Sequence, residues 1–195
     1  MSVLSVSLSL THSFSKPRVP SITLLPNLGV QGDAHAGSTV QHLSRTHLSP
    51  APRNLRQVHL LHSEILSQAS TSSSTPLKPG ELGENITTTG IDLLSLSKGA
   101  KLRFVADNNN NNNNDESREG AAAAVISVTG LRNPCAQIDK FRAGLKEKFV
   151  VRDGERKIVQ RKAGIMGVVE VGGEVRPGMR IVVEKPAVHE PLQCV

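Results

Sequence analysis

The sequence predicts a mainly β fold, a closed or nearly closed β-barrel with a few short helices, on three observations. Short runs rich in β-branched and aliphatic residues recur along the chain, among them Ala124 to Thr129 and the IVVE segment near its end. Turns containing Gly or Pro separate these runs. No regular strand–helix alternation is present, which argues against a doubly wound α/β sheet. The 195 residues fit one domain, 1–195, carrying low-complexity inserts at 67–76 and 107–119. With no Trp, no Tyr and four Phe, its core has to be aliphatic.

The first strand is marked by Leu4, Val6, Leu8 and Leu10 alternating with Ser5, Ser7 and Ser9. No Lys or Arg precedes this segment and its apolar residues are not continuous, so it is no secretory signal. No apolar run approaches the length needed to span a bilayer. The expectation is a soluble, cytoplasmic protein without a membrane partner. A polar turn ends at Lys16, and Ser21 to Leu25 forms a short strand closed by Pro26. Leu28 to Gly37 (LGVQGDAHAG) is a glycine-rich loop carrying Asp33 and His35. An acid and an imidazole two apart can bind a metal or shuttle a proton, or the Asp can simply cap backbone N–H groups; spacing alone favours the turn.

His42, His47, His59 and His62 do not have the spacing of a zinc site. Gln57 to Leu61 reads as a strand that runs into a short helix at Ser63, followed by the polar Ser67–Pro76 linker. Glycines at 80, 83 and 90 punctuate the next stretch, with Glu84 and Asn85 in its tight part. Ile86 to Thr89 and Lys101 to Val105 are strands with a turn at Lys98-Gly99. Asn108 to Asn114 and the DESREG that follows form a polar hairpin tip.

The strand from Ala124 is broken by Gly130. Asn133 suits an N-cap and Pro134 a first helical position, and Ile138, Phe141, Leu145 and Phe149 recur at helical spacing. This predicts a helix with Cys135 in its first turn, where free N–H groups favour a thiolate and Arg132 acts in the same sense. The alternative is a small buried thiol that only packs. A hairpin is expected at Asp153-Gly154, and a last one at Pro177-Gly178.

Net charge is +6, and Lys140 to Lys162 holds nine Lys/Arg against three Asp/Glu, so this segment alone accounts for the excess. Such a patch suits a phosphate-bearing ligand or is simply a solvated face. The lack of Trp and Tyr argues against a stacking platform for nucleic acid. Two cysteines make no disulfide framework and fit a reducing compartment.

The loops G32-D-A-H-A-G37, G80-E-L-G-E-N85 and R132-N-P-C135, in this order, make the chain resemble the MOSC domain family, the C-terminal domain of molybdenum-cofactor sulfurases, in its small stand-alone form. The resemblance runs from the first strand to RPGMRIVVE. It implies a barrel like the β-domain of pyruvate kinase and the molybdenum cofactor (molybdopterin) as ligand. It further implies Cys135 as catalytic residue and molybdenum ligand, with Lys16, Asp33, His35, Glu84, Asn85, Thr129, Arg132 and Asn133 around the cofactor. Three functions follow as expectations. The first is a reductase of N-hydroxylated bases or related N-oxygenated compounds, served by a redox partner protein. The second is a carrier of persulfide sulfur or handler of the cofactor without turnover. The third is a basic anion-binding module with a structural Cys135. The chain has no aminotransferase-like desulfurase segment, and Gly178-Met179 stands where many relatives have Gly-Asp.

Overall fold

The computed structural model of the protein describes residues 1–41, 47–70, 75–106 and 123–195. In chain order the strands are β1 (Ser2–Ser7), β2 (Arg18–Val19), β3 (Ile22–Leu25), β4 (Gly29–Val30), β5 (Val58–His62), β6 (Ile86–Thr89) and β7 (Lys101–Val105). They continue with β8 (Val125–Leu131), β9 (Val150–Arg152), β10 (Ile158–Arg161), β11 (Ile165–Val171), β12 (Gly173–Val175) and β13 (Arg180–Glu184). Helix α1 spans Ser63–Ser70 and α2 spans Gln137–Phe141.

Seven strands close into the expected barrel, in the order β13, β7, β8, β11, β5, β6, β1, with Ser2 of β1 opposite Arg180 of β13 sealing the ring. β5 and β6 are parallel, while the other neighbours in the ring are antiparallel. Closure leaves no free edge in the ring, which removes a template for aggregation. β3, β4 and β12 form a small separate sheet, and β9 pairs with β10 around the Asp153-Gly154 turn. The barrel core is aliphatic with one Phe: Val6, Leu60, Ile86, Leu102, Phe104, Ile126 and Ile165 are fully buried in it. A second cluster packs Ile65 and Leu66 of α1 against Leu61, Leu82, Ile138, Leu145 and Phe149.

Four sequence expectations need correction. The helix after Cys135 is short: α2 begins at Gln137, and Arg142 is already extended. Gly144 then turns at φ +73°, and a 3-10 turn takes up Lys146–Phe149. Ile138, Leu145 and Phe149 still reach one core, but Phe141 is exposed. The periodicity was that of two short turns sharing a core, interrupted by a glycine whose cost in a helix interior is about 1 kcal/mol. Cys135 therefore precedes the helix, and Asn133 does not cap it.

In β1 Leu4 is exposed whereas Ser5 and Ser7 are buried, and just past the strand Ser9 is buried and Leu10 exposed. A register shift between Val3 and Ser5 lets Val3 and Val6 both face the barrel core. The turn at Pro177-Gly178 joins β12 and β13, which lie in different sheets, so it makes no hairpin. Likewise β6 and β7 are not neighbours, and a 3-10 turn at Leu93–Ser95 intervenes between them. The asparagine run Asn108 to Asn114 lies outside the described residues, although β7 and β8 on either side of it pair as antiparallel neighbours.

Candidate functional site

Where the chain leaves β8 at Arg132 and enters β6 at Asn85, next to His59 of β5 and Met166 of β11, a cavity of about 260 Å³ opens. Six residues singled out from the sequence line it: Lys16, His35, Asn85, Arg132, Asn133 and Cys135. The two glycine-containing loops and the Arg132–Cys135 loop thus converge, although they are far apart in the chain.

Asp33 sits behind this wall as its organiser. Its Oδ2 accepts from Lys16 Nζ at 2.6 Å, Asn85 Nδ2 at 3.0 Å and the Ser9 backbone N–H at 3.3 Å. Its Oδ1 accepts from the His35 backbone N–H at 3.0 Å and stands 3.2 Å from His35 Nδ1. A carboxylate can only accept, so Nδ1 carries the proton and the tautomer leaves Nε2 as the ring's other nitrogen. Burial alone would raise the Asp33 carboxyl, but hydrogen bonds from His35 and the charge and hydrogen bond of Lys16 hold it well below the usual range. Burial lowers the Lys16 ammonium more than Asp33 restores it.

Asn85 ties three elements together. Its Nδ2 also donates to the Ser7 carbonyl of β1, and its Oδ1 accepts from the backbone N–H of His59 in β5. Glu84, fully buried, lies beneath the cavity wall. Its Oε1 accepts from Gly80 N–H and Thr87 Oγ1, its Oε2 has no hydrogen-bond partner, and burial pushes its carboxyl up. Gly80 is needed here: its φ is +88°, and a Cβ would collide with the Lys16 carbonyl that packs against it.

Arg132 brings one of the positive charges of the cavity, which Lys16 and Arg56 also line. It is 8% exposed, its backbone N–H donates to the Gly164 carbonyl, and its guanidinium lies 6.0 Å from the centre of the Phe14 ring. Nη1 is buried without a hydrogen-bond partner among the described residues. Burial lowers this guanidinium, while Cys135 and Glu84 counteract that effect. Cys135 is half-buried, with Sγ 3.9 Å from Gln137 Oε1. Asn133 accepts from Arg161 Nε at 3.2 Å at the rim.

Thr129 is not part of the wall. Its hydroxyl donates to the Leu55 carbonyl at 2.6 Å and pins that segment onto β8.

Sequence reasoning missed His59, Asn54 and Phe14, which also line the cavity. His59 Nε2 lies 2.8 Å from the Ala163 carbonyl, which can only accept, so Nε2 is protonated. Burial and then the charge of Arg132 push its pKa well below the ordinary value, which keeps it neutral. Asn54 Nδ2 donates to the carbonyls of His35 and Gly37 and so shapes the Asp33 loop. A histidine in a strand buried at every position was the available signal for His59; Asn54 carried none. Among the described residues no group of three or more His, Cys, Asp or Glu could hold a metal ion. His42 lies outside the described residues.

The family model of the MOSC domain matches residues 44–182. The chain belongs to the MOSC domain family. Members of this family are associated with the molybdenum cofactor. Among solved structures, the fold is similar to that of the YuaD protein from Bacillus subtilis, with TM-score 0.69 and 21% identity over 93% of this chain and 94% of that one. YiiM from Escherichia coli (TM-score 0.56, 16% identity, 98% of this chain and 73% of that one) is also similar. YiiM from Geobacillus stearothermophilus gives TM-score 0.55 and 14% identity over 98% of this chain and 76% of that one. Comparison with curated protein sequences gives no match. Among the described residues no helix is long and apolar enough to cross a membrane.

Proposed function

We propose that this MOSC domain binds the molybdenum cofactor in the cavity beside Cys135 and reduces N-hydroxylated bases or related N-oxygenated compounds. The observation that carries the reading is Arg132, whose buried Nη1 has no partner among the described residues and which lines the same cavity as Cys135. A buried donor left unsatisfied costs about 1–3 kcal/mol, so a site built this way fits an anionic group placed against it. The phosphate of a pterin is such a group, and a thiolate at Cys135 is a suitable ligand for a thiophilic metal. The donor set present therefore fits the cofactor: Arg132 for its anionic part, Cys135 for the metal, with Asn133 at the rim as a neutral hydrogen-bonding group.

Bound there, the cofactor would supply two-electron chemistry at the metal, with electrons from an external redox partner. The protein's own share is to hold and orient. Asp33 keeps Lys16 and the His35 ring in place, and both residues line the cavity. His59, neutral and bonded to the Ala163 carbonyl, adds no charge of its own next to Arg132.

A second reading, a carrier of persulfide sulfur, is favoured by one observation: the Cys135 thiol is partly accessible and makes only a 3.9 Å contact with Gln137. Protein produced in a cofactor-synthesising host separates the two. The reductase reading expects molybdenum and pterin to copurify with the chain, and an amidoxime to be converted to the amidine when reduced viologen is the donor. A chain free of molybdenum whose Cys135 takes up persulfide from a desulfurase would replace that reading by the carrier one.

A further inference from the structure

A second cavity, of about 400 Å³, lies between α1, the Asp92–Ser95 turn and β10. It shares no lining residue with the first. His62, at the end of β5, forms part of its wall. This residue is 6% exposed, and its Nδ1 is buried with no hydrogen-bond partner among the described residues. A polar atom so placed is an unmet demand in the wall beside the cavity.

The charges around it are the second observation. Asp92 and Lys162 both line the cavity, and neither has an ion-pair partner among the described residues. They do not pair with each other either, although elsewhere on the surface exposed Lys and Arg do find carboxylates, as in Lys98–Glu190 and Lys101–Glu170. Asp92 Oδ1 accepts the Leu94 N–H and so is fixed at the head of the 3-10 turn. Burial lowers the pKa of His62, against the pull of Asp92 and Glu64, which leaves the ring neutral and the cavity with one charge of each sign. Ile65 and Leu94 add an apolar wall.

A lone anion would meet Asp92 and a lone cation would meet Lys162, so neither fits this lining. A net-neutral molecule carrying both charges does. We propose that the cavity is a binding site for a small zwitterion of the α-amino acid class. Its ammonium faces Asp92, its carboxylate faces Lys162, and its side chain lies on Ile65 and Leu94. The size falls in the range of about 300–1,000 Å³ typical of small-molecule sites. The site is independent of the molybdenum reading and stands or falls without it.

Calorimetric titration of the full chain with glycine, leucine and glutamine, and with acetate and methylamine as half-ligands, tests this. The expected result is saturable binding of at least one amino acid, with acetate and methylamine at least about tenfold weaker. Asp92→Asn keeps the acceptor for Leu94 N–H and removes only the charge, and Lys162→Met keeps the aliphatic stem. Each is expected to weaken the amino acid about tenfold or more without lowering the melting temperature. No saturable binding of any of the three below about 10 mM would overturn the proposal. So would acetate or methylamine binding as well as the amino acid, or affinity unchanged in both variants.

Discussion

Lys16 Nζ and Asp33 Oδ2 are 2.6 Å apart, and their side chains are 5% and 2% exposed. This pair decides which cation at the cavity is available to a ligand. The charge of Lys16 is committed to Asp33, whereas the Nη1 of Arg132 has no hydrogen-bond partner among the described residues. Lys16 lines the cavity and at the same time braces the loop that carries His35.

Asp33→Asn is therefore expected to destabilise the protein by about 3–5 kcal/mol, because it leaves a buried ammonium unpaired. The pH dependence has a definite sign. The folded-state pKa of Asp33 is depressed, so the unfolded chain takes up a proton at this residue before the folded one does. Its contribution is fully present above the unfolded value of about 3.9 and is lost as pH falls below it. Urea denaturation across acidic pH should show this loss in the wild type and a shallower one in Asp33→Asn. Equal slopes would mean that the carboxylate is not the group responsible.

Deletion of Asn108 to Asn114 should change the melting temperature little. The strands on either side, β7 and β8, pair through Arg103 opposite Val125, and that register does not involve the run. Loop closure entropy changes by only about 0.6 kcal/mol per doubling of length. A drop of many degrees in thermal denaturation would count against a connecting role for this segment.

Gly130→Ala probes how the Cys135 segment is anchored. Leu131 donates its N–H to the Gln193 carbonyl, and Val195 donates to the Leu131 carbonyl. A Cβ on Gly130 would collide with that same Gln193 carbonyl and approach Val195. The substitution is expected to cost about 1–3 kcal/mol and to speed amide hydrogen exchange at Leu131 and Val195. Unchanged exchange would show that residues 193–195 can shift without loosening the loop.

The barrel was legible because its strands are short aliphatic and β-branched runs cut by Gly and Pro, and few other architectures accept that pattern. The convergence of the Asp33, Glu84–Asn85 and Arg132–Cys135 loops was legible only through their order in a family pattern. What local pattern could not show were effects that depend on partners. The bulge in β1 depends on its pairing with β6, and Ser5 is buried there while Leu4 is exposed. The helix after Cys135 failed because the apolar spacing was right while the backbone left the helix at Arg142, ahead of the turn at Gly144. Thr129 lies within reach of the loop in sequence, yet its hydroxyl points to the Leu55 carbonyl. His59 became a wall residue only because a buried strand passes under Arg132.

Arg132→Met and Cys135→Ser, measured side by side, separate anion binding from metal ligation. Arg132 Nη1 donates to no protein acceptor, so this donor's loss orphans nothing inside the fold, and methionine can fill the space along Phe14. Cys135 is half-buried, and serine is close to it in volume, so its replacement should cost less than about 1 kcal/mol. In protein from a cofactor-synthesising host, Cys135→Ser is expected to lose molybdenum more than pterin, because an alcohol is a poor ligand for a soft metal. Arg132→Met is expected to lose both together, because it removes the partner of the anionic group that holds the pterin. Metal content and pterin fluorescence of the same preparations give the two readings. Full occupancy of both in Arg132→Met would move the anion site to the basic segment Arg152 to Lys162. Full molybdenum in Cys135→Ser would leave the metal without its proposed protein ligand and end a reductase mechanism that depends on that thiolate.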